Sequence, residues 1–225
     1  MKRTMIAIAV AATACASTRA EKSEVSAADL GRLSPEQMGP VDEARQARAT
    51  AVDEEARARL RQQEAQHERD LAQADVTAAD ASAQQAEAQS KIANETRRPD
   101  QLERASRLQE RARAQKEVAT AHLEYANRLF DARQAEAETA AKQIEFRDAR
   151  LEKAKLDAMR QAKVPASSAY DTGRFQSRVH DSQQSYEEAR KQSRELDGQA
   201  TSSQRRWKDL QRQFQAKGRG AAPTG

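Results

Sequence analysis

Alanine occupies every seventh position of a long stretch in the first half of the chain, over eight consecutive repeats. The members of this stripe are Ala44, Ala51, Ala58, Ala65, Ala72, Ala79, Ala86 and Ala93. Helix propensity favours alanine but does not place it every seven residues, whereas a strict seven-residue repeat keeps one helix face against a partner helix. The stripe therefore predicts a helix over about 35–95 that packs on another helix. Ser34, Pro35 and Gln37 supply its start, with a capping hydroxyl, proline at the first helical position and an amide that can return to the cap.

A second helix is predicted over about 100–163, after Arg97-Arg98-Pro99, because proline disfavours the helical conformation in the residue before it. Asp100 and Glu103 offer a capping box at its start. Two heptad positions in this segment are mostly apolar, and such periodicity favours a coiled coil over disorder. The first position contains Leu102, Gln109, Lys116, Leu123, Phe130, Ala137, Ile144, Leu151 and Ala158, and the second begins Ala105, Ala112, Ala119, Ala126.

A third, shorter helix is predicted over about 170–216, with a seam that alternates by four and three residues from Phe175 through Tyr186 and Trp207 to Phe214. Only 4% of the residues are aromatic and 33% are charged, so a compact core is excluded while narrow helical seams are not. The predicted fold class is all-α. It is an elongated antiparallel coiled coil of two long helices plus a shorter third helix, forming a rod over residues 34–216, with a disordered tail at 217–225.

The helix order also predicts a register, since short loops make sequential long helices antiparallel neighbours. A first turn centred between residues 97 and 98 places Ala65 opposite Phe130. A second turn near 168–169 places Trp207 opposite Phe130 as well. Layers such as Ala65/Phe130/Trp207 are therefore expected along the rod.

Because the third helix is shorter than the other two, residues about 75–120 are expected to form a two-helix tip that it does not cover. We predict that this tip is either an interaction site for a partner or a second copy, or a solvated spacer with no partner. The candidate interaction residues are Ile92, Leu102, Leu108, Gln109, Lys116 and Val118.

The first fifteen residues carry a basic start, Met1-Lys2-Arg3, and a short apolar run over residues 5–12, followed by Ala12-Thr13-Ala14-Cys15. The run is too short to span a bilayer and matches the apolar region of a secretory signal. Cys15 is the only cysteine of the chain. This pattern resembles the lipobox of bacterial lipoproteins, although Ala12 stands where leucine is common. The alternative is an ordinary signal peptide cut after the same small residues.

The lipobox resemblance implies a signal peptide over 1–14 and a lipidated Cys15 that carries S-diacylglycerol and N-acyl groups. A flexible tether is expected over 15–33. Ala16 and Ser17 follow the cysteine, and the absence of an adjacent aspartate implies the outer membrane, with the protein facing the periplasm. The helical body resembles uncharacterised helical-hairpin, coiled-coil envelope lipoproteins in architecture and composition.

These patterns indicate a structural protein with no enzymatic activity, no catalytic residues, no metal site and no cofactor beyond the acyl groups. Lysine and arginine total 39 against 35 acids, without a concentrated basic stripe, so nucleic-acid binding is not expected. The expected partners are the membrane, through the lipid, and an envelope protein or a second copy, through helix pairing. Two alternatives are a binding module for anionic lipid or polysaccharide, through the basic third helix and tail, and an accessory subunit of an envelope efflux or motility complex.

Overall fold

The computed structural model describes residues 24–220, and within that range the chain is all-α, as predicted. A single-turn helix, α1 (Ala27–Leu30), precedes two long helices, α2 (Pro35–Thr96) and α3 (Pro99–Gln161). A 3-10 helix (Pro165–Ala169) then leads into a third long helix, α4 (Thr172–Gly220). Since α4 continues to Gly220, the prediction of a disordered tail over 217–225 was wrong for residues 217–220, which are helical.

The start of α2 has the predicted capping box. The backbone N–H of Ser34 donates to Oε1 of Gln37 at 2.9 Å, and the backbone N–H of Gln37 donates to Oγ of Ser34 at 3.4 Å. The alanine stripe is the face that α2 buries: seven of its eight members are at most 5% exposed, and Ala44 is half-buried. Because the methyl group is the smallest side chain that still fills a seam, α2 and α3 pack closely along their length.

The first turn consists of Arg97 and Arg98, and Arg97 adopts the left-handed conformation with φ of 53°. Helix α3 begins with Pro99 at its first position, and its capping residue, Arg98, makes no side-chain capping hydrogen bond. The capping box predicted from Asp100 and Glu103 was therefore wrong. Because the helix begins at Pro99, Asp100 is already inside it, and the N-cap position is occupied by Arg98, whose side chain has no acceptor for a backbone N–H.

Helix α3 packs on α2 along one side and on α4 along the other, and α4 makes no extended contact with α2. The three long helices thus form a layer with α3 in the middle. The side of α3 that faces α4 includes Tyr125, whose ring is stacked with that of Trp207, and Phe146, whose ring is stacked with that of Tyr186. Ala132, seven residues after Tyr125, is buried on the same side. The prediction that one residue from each helix meets at a common level, as in Ala65/Phe130/Trp207, was wrong, because α4 packs on α3 and does not complete a three-helix bundle with α2.

The α2–α3 register agrees with a turn between residues 97 and 98, as shown by ion pairs between Lys116 and Asp80 at 2.7 Å and between Arg48 and Asp148. The α3–α4 register is different from the predicted one. Trp207 stacks on His122, with ring centroids 4.2 Å apart, and not on Phe130. The difference is about two helical turns, or about 10 Å.

The second register differs because the chain turns back earlier than residues 168–169. Nη2 of Arg160 donates to the backbone oxygen of Tyr170 at 3.0 Å, so the residues after the 3-10 helix already run back along the last turns of α3. The turn is therefore centred near residue 165, and every residue of α4 lies correspondingly closer to the start of α3 than predicted.

The end of the rod near this second turn has the densest apolar core. The core contains Val25, Leu30, Leu156, Met159, Val164, Tyr170 and Phe175. It includes Val25, just before α1, and Leu30, the last residue of α1, and the partly buried Leu33 packs against it. The flexible tether predicted over 15–33 is therefore wrong for residues 25–33. The sequence there lacks periodicity, but Val25 and Leu30 supply enough apolar surface to dock a single helical turn.

Candidate interaction sites

The predicted lipidation residues, Ala12, Thr13, Ala14 and Cys15, lie outside the described residues. Within residues 24–220, no helix combines the length and the apolarity needed to cross a bilayer. In the same range, no three His, Cys, Asp or Glu side chains are grouped so that they could hold a metal ion.

The two-helix tip is shorter than predicted. Nζ of Lys217, near the end of α4, lies 3.7 Å from Oε1 of Glu110 on α3, so α4 accompanies α3 to that level. Lys116, a predicted tip residue, forms its ion pair with Asp80 across the α2–α3 seam. The predicted tip over 75–120 therefore narrows to the last turns of α2 and roughly the first three turns of α3.

Three of the six predicted tip residues are exposed apolar side chains: Ile92 at 58%, Leu102 at 38% and Leu108 at 39%. Ile92 lines a shallow groove with Gln89, Ala93, Gln101, Arg104 and Ala105, and neither exposed leucine is part of it. Gln109 and Val118 are half-buried. Val118 lies one heptad before Tyr125, on the side of α3 that faces α4. The six residues therefore do not form one surface.

The structure places a junction between all three long helices at His122, which sequence reasoning did not identify. Nε2 of His122 lies 2.9 Å from Oε1 of Glu68, and Nδ1 lies 3.2 Å from Oδ2 of Asp75, both on α2. The ring stacks on Trp207 of α4 with an interplanar angle of 12°. A doubly protonated imidazole ring donates to both carboxylates at once, while a neutral ring donates to only one.

Tyr125 extends this junction by one turn of α3. Its ring centroid lies 5.4 Å from that of Trp207, and its hydroxyl accepts a hydrogen bond from Nε2 of Gln204 at 3.2 Å. Burial raises the pKa of the Tyr125 hydroxyl, and the negative charge of Glu68 adds to that effect, although the Gln204 hydrogen bond opposes it. The phenol therefore stays protonated at neutral pH and acts as a neutral packing group.

A second polar link joins the same three helices farther along. Glu136 on α3 accepts hydrogen bonds from Arg61 of α2 at 2.6 Å and from Arg133 at 2.8 Å, and Arg133 lies 4.0 Å from Asp197 of α4. Burial by itself would raise the pKa of Glu136, but the hydrogen bonds and charges of the two arginines hold it below its usual value. Both links fix the level of each helix against its neighbour.

Comparison with known proteins produced no match: no family model, no curated protein and no solved structure is significantly similar to the chain. The fold alone therefore defines its class. The described chain is an elongated, coiled-coil-like all-α protein in which three long helices lie side by side.

Proposed function

We propose that the chain is a non-enzymatic envelope lipoprotein whose helical rod acts as a membrane-tethered spacer or scaffold. The observation that carries this proposal is the position of the N-terminal segment. The chain becomes packed at Val25, ten residues after Cys15, on the end of the rod that lies opposite the Arg97–Arg98 turn. A lipid on Cys15 would therefore hold one defined end of the rod at a membrane.

The docking of this segment is specific as well as apolar. The backbone N–H of Val25 donates to Oε2 of Glu152 at 2.9 Å, and the backbone N–H of Ser26 donates to the hydroxyl oxygen of Tyr170 at 3.2 Å. That hydroxyl donates in turn to Oδ2 of Asp29 at 3.1 Å. Pull on the N-terminus would thus be transmitted to α3 and to the second turn, and not only to the start of α2.

The dimensions suit a spacer. At 1.5 Å per residue, the 62 residues of α2 span roughly 93 Å. The ten Cα–Cα steps from Cys15 to Val25 can add at most about 35 Å. The Arg97–Arg98 turn would therefore stand on the order of 90–130 Å from a membrane in which Cys15 is anchored, if the rod is upright.

The chemistry at Cys15 is what the lipobox resemblance implies. The thiol sulfur displaces the headgroup phosphate of a phospholipid and becomes a thioether to diacylglycerol. Water then cleaves the peptide bond after Ala14, and a second phospholipid transfers an acyl chain to the new amino group and leaves as a lysophospholipid. One acyl chain alone binds a membrane only marginally, so the combined chains are needed for a stable anchor. We place the protein at the outer membrane, facing the periplasm, on the basis of Ala16 and Ser17.

The experiment is metabolic labelling with a fatty-acid analogue, combined with membrane fractionation, of the wild type, Cys15→Ser and the matched control Ser17→Ala. We expect label and outer-membrane recovery for the wild type and Ser17→Ala, and neither for Cys15→Ser. If no protein is labelled and all three are recovered in the soluble fraction, cleavage as an ordinary signal peptide replaces the lipoprotein proposal.

A further inference from the structure

The three-helix layer has two free edges, and the edge formed by α4 is basic. Between residues 190 and 212, α4 has seven cations and three acids. Two of the acids are engaged, because Asp197 approaches Arg133 and Asp209 pairs with Arg212. The outward face, opposite the side that packs on α3, carries exposed cations at helical spacing: Lys191, Arg194, Arg205, Lys208 and Arg212. We call these residues the basic edge.

The edge formed by α2 is acidic. Between residues 62 and 90, α2 has six acids and a single cation, Arg69. Three of the acids face α3, because Glu68 and Asp75 contact His122 and Asp80 pairs with Lys116. The guanidinium of Arg69 is turned towards α3, 4.5 Å from the ring centroid of Phe130. The outward face over residues 60–71 includes Glu64 and Asp70, together with two of the most exposed apolar side chains of the described chain, Leu60 at 59% and Leu71 at 63%. We call these four residues the acidic edge. The exposed Arg57 lies one turn before this surface.

The two edges lie at the same level along the rod. Glu68 and Asp75 bracket His122, which stacks on Trp207, so the Asp70 turn of α2 is level with the turn of α4 that contains Arg205 and Lys208. Farther along, the Arg61–Glu136–Arg133–Asp197 link brings the Leu60–Glu64 turn level with the turn from Arg194 to Gly198. Helices α2 and α4 also run in the same direction, since each is antiparallel to α3.

We propose that two copies of the chain associate side by side in the same orientation, with the acidic edge of one copy packed along the basic edge of the next. A sideways shift of one copy then brings Asp70 to Arg205 and Glu64 within one turn of Arg194. It also covers Leu60 and Leu71, which have no partner on α3. The proposal deepens the proposed function and rests on it in one respect: the copies share one orientation because each is tethered to the membrane at the same end.

Charge complementarity and the exposed leucines both favour a second copy over an anionic polymer as the occupant. An anionic polymer would explain the cations of α4 but neither the acids nor the leucines at the same level of α2. Exposed ion pairs contribute little each, so the association is weak and salt-dependent, and confinement at a membrane raises the effective concentration that it needs. Because the two edges are different surfaces, each added copy leaves one free edge of each kind, and the layer extends as a strip.

The test uses the full-length chain in its membrane, with a benzophenone side chain in place of Leu71. Within one copy, α3 separates Leu71 from α4, so a crosslink from position 71 to α4 must join two copies. We expect a crosslinked dimer linked to residues near 201–209. The matched control carries the same group in place of Asn127, which is exposed at the same level of α3 but lies on neither edge. A control that crosslinks as well as position 71 overturns the proposal.

Charge reversal supplies the second readout. Arg205→Glu with Lys208→Glu, or Glu64→Lys with Asp70→Lys, should each lower the dimer yield by about tenfold or more, because attraction is replaced by like-charge repulsion. Coexpression of the two double variants, each with position 71 replaced, should restore crosslinks between them. Yields that do not respond to either double variant overturn the proposal.

Two further outcomes separate this inference from its competitors. If Arg205→Glu with Lys208→Glu leaves the dimer yield unchanged but lowers binding to phosphatidylglycerol vesicles, the basic edge binds lipid and the self-association proposal fails. If the wild type carries the acyl label but position 71 gives no dimer, the tethered rod stands and the edge pairing fails. The acyl-label experiment therefore fails or succeeds independently of the crosslink.

Discussion

Replacing Ala72 by leucine tests whether the alanine stripe holds α2 and α3 in close contact. Ala72 is 0% exposed, and it lies on the seam between the two residues, Glu68 and Asp75, that contact His122 of α3. A leucine adds three carbons at a position that has no exposure to solvent. If the seam could accept them, their burial would contribute up to about 2.4 kcal/mol of stabilisation, at about 0.8 kcal/mol for each carbon.

We expect the opposite sign, because room for the leucine arises only if the two helices separate locally. Such separation also loosens the packing of Ala65 and Ala79, one heptad away on each side. Overpacking of this kind costs typically about 1–3 kcal/mol. For a chain of this size, that corresponds to a fall of roughly 2–12 °C in the thermal midpoint.

The measurement is thermal unfolding followed by circular dichroism, at one fixed salt concentration, for the wild type, Ala72→Leu and the matched control Ala56→Leu. Ala56 lies on α2 but is exposed, so the same substitution there should change stability by no more than about 0.5 kcal/mol. A midpoint for Ala72→Leu equal to or above that of Ala56→Leu would refute the close packing inferred for the seam.

Three further predictions concern α4 and its links to α3. Gly198→Ala should stabilise the protein by roughly 0.5–1 kcal/mol, because alanine favours the helix and nothing lies within 4 Å of the position that its Cβ would occupy. An unchanged midpoint of urea unfolding would show that α4 unfolds separately from the other helices. His122→Ala should shift the fluorescence of Trp207, the only tryptophan, to longer wavelength, because the indole loses its stacking partner to water; an unshifted spectrum speaks against the stack. Glu136→Gln should lower stability by about 0.5–1 kcal/mol at neutral pH, a figure reduced for the partial exposure of this ion pair. Because the folded-state pKa of Glu136 is held low, the stability that its ion pair contributes is fully present above the ordinary pKa of 4.5 and is lost as the pH falls through the lowered value. A stability difference between wild type and variant that does not shrink in acid contradicts this.

The sequence predicted the α2–α3 pair well because one physical requirement acts on every repeat. Each member of the alanine stripe meets the same partner helix, so the pattern is unbroken and its period is unambiguous. The capping box of Ser34 and Gln37 was also readable, since both of its interactions are local. The α1 segment was not, because Val25 and Leu30 are buried through contacts with residues more than 120 positions away.

The position of α4 was missed because α3 has two seams and only one was recognised. The second seam includes Ala121, Tyr125, Ala132 and Phe146, which share the side of α3 that faces α4. Ala121 and Ala132 looked like ordinary alanines of a helical sequence, and the rings of Tyr125 and Phe146 are three heptads apart, so no stripe was recognised. A search of α3 for a second stripe, offset from the first, would have predicted a central helix with a neighbour on each side.

The composition of the second seam changes near the level where α4 ends. One and two heptads before Val118, the α4-facing position is Arg111 and then Arg104, and one heptad before Ala114 it is Arg107. These arginines replace small and apolar residues near the level where Lys217 meets Glu110. A single cation does not mark an uncovered position, since Arg128, one heptad after Ala121, donates to Oε1 of Gln199 on α4 at 3.3 Å. The change from small and apolar residues to three arginines nevertheless coincides with the end of the α3–α4 contact.

A layer with one doubly packed helix has a consequence that a closed bundle does not. In a bundle, each helix turns its apolar side towards a shared core, and additional copies meet only charged surface. Here α3 is satisfied on both sides, whereas α2 and α4 each pack on one side only. Leu60 and Leu71 lie on the unpacked side of α2, where no residue of the described chain covers them. The charges then decide what can approach these leucines, because an acidic edge repels another acidic edge and accepts a basic one. The absence of an extended α2–α4 contact, the opposite charges of the two edges and the exposed leucines are together the reason for proposing that the layer continues from one copy to the next.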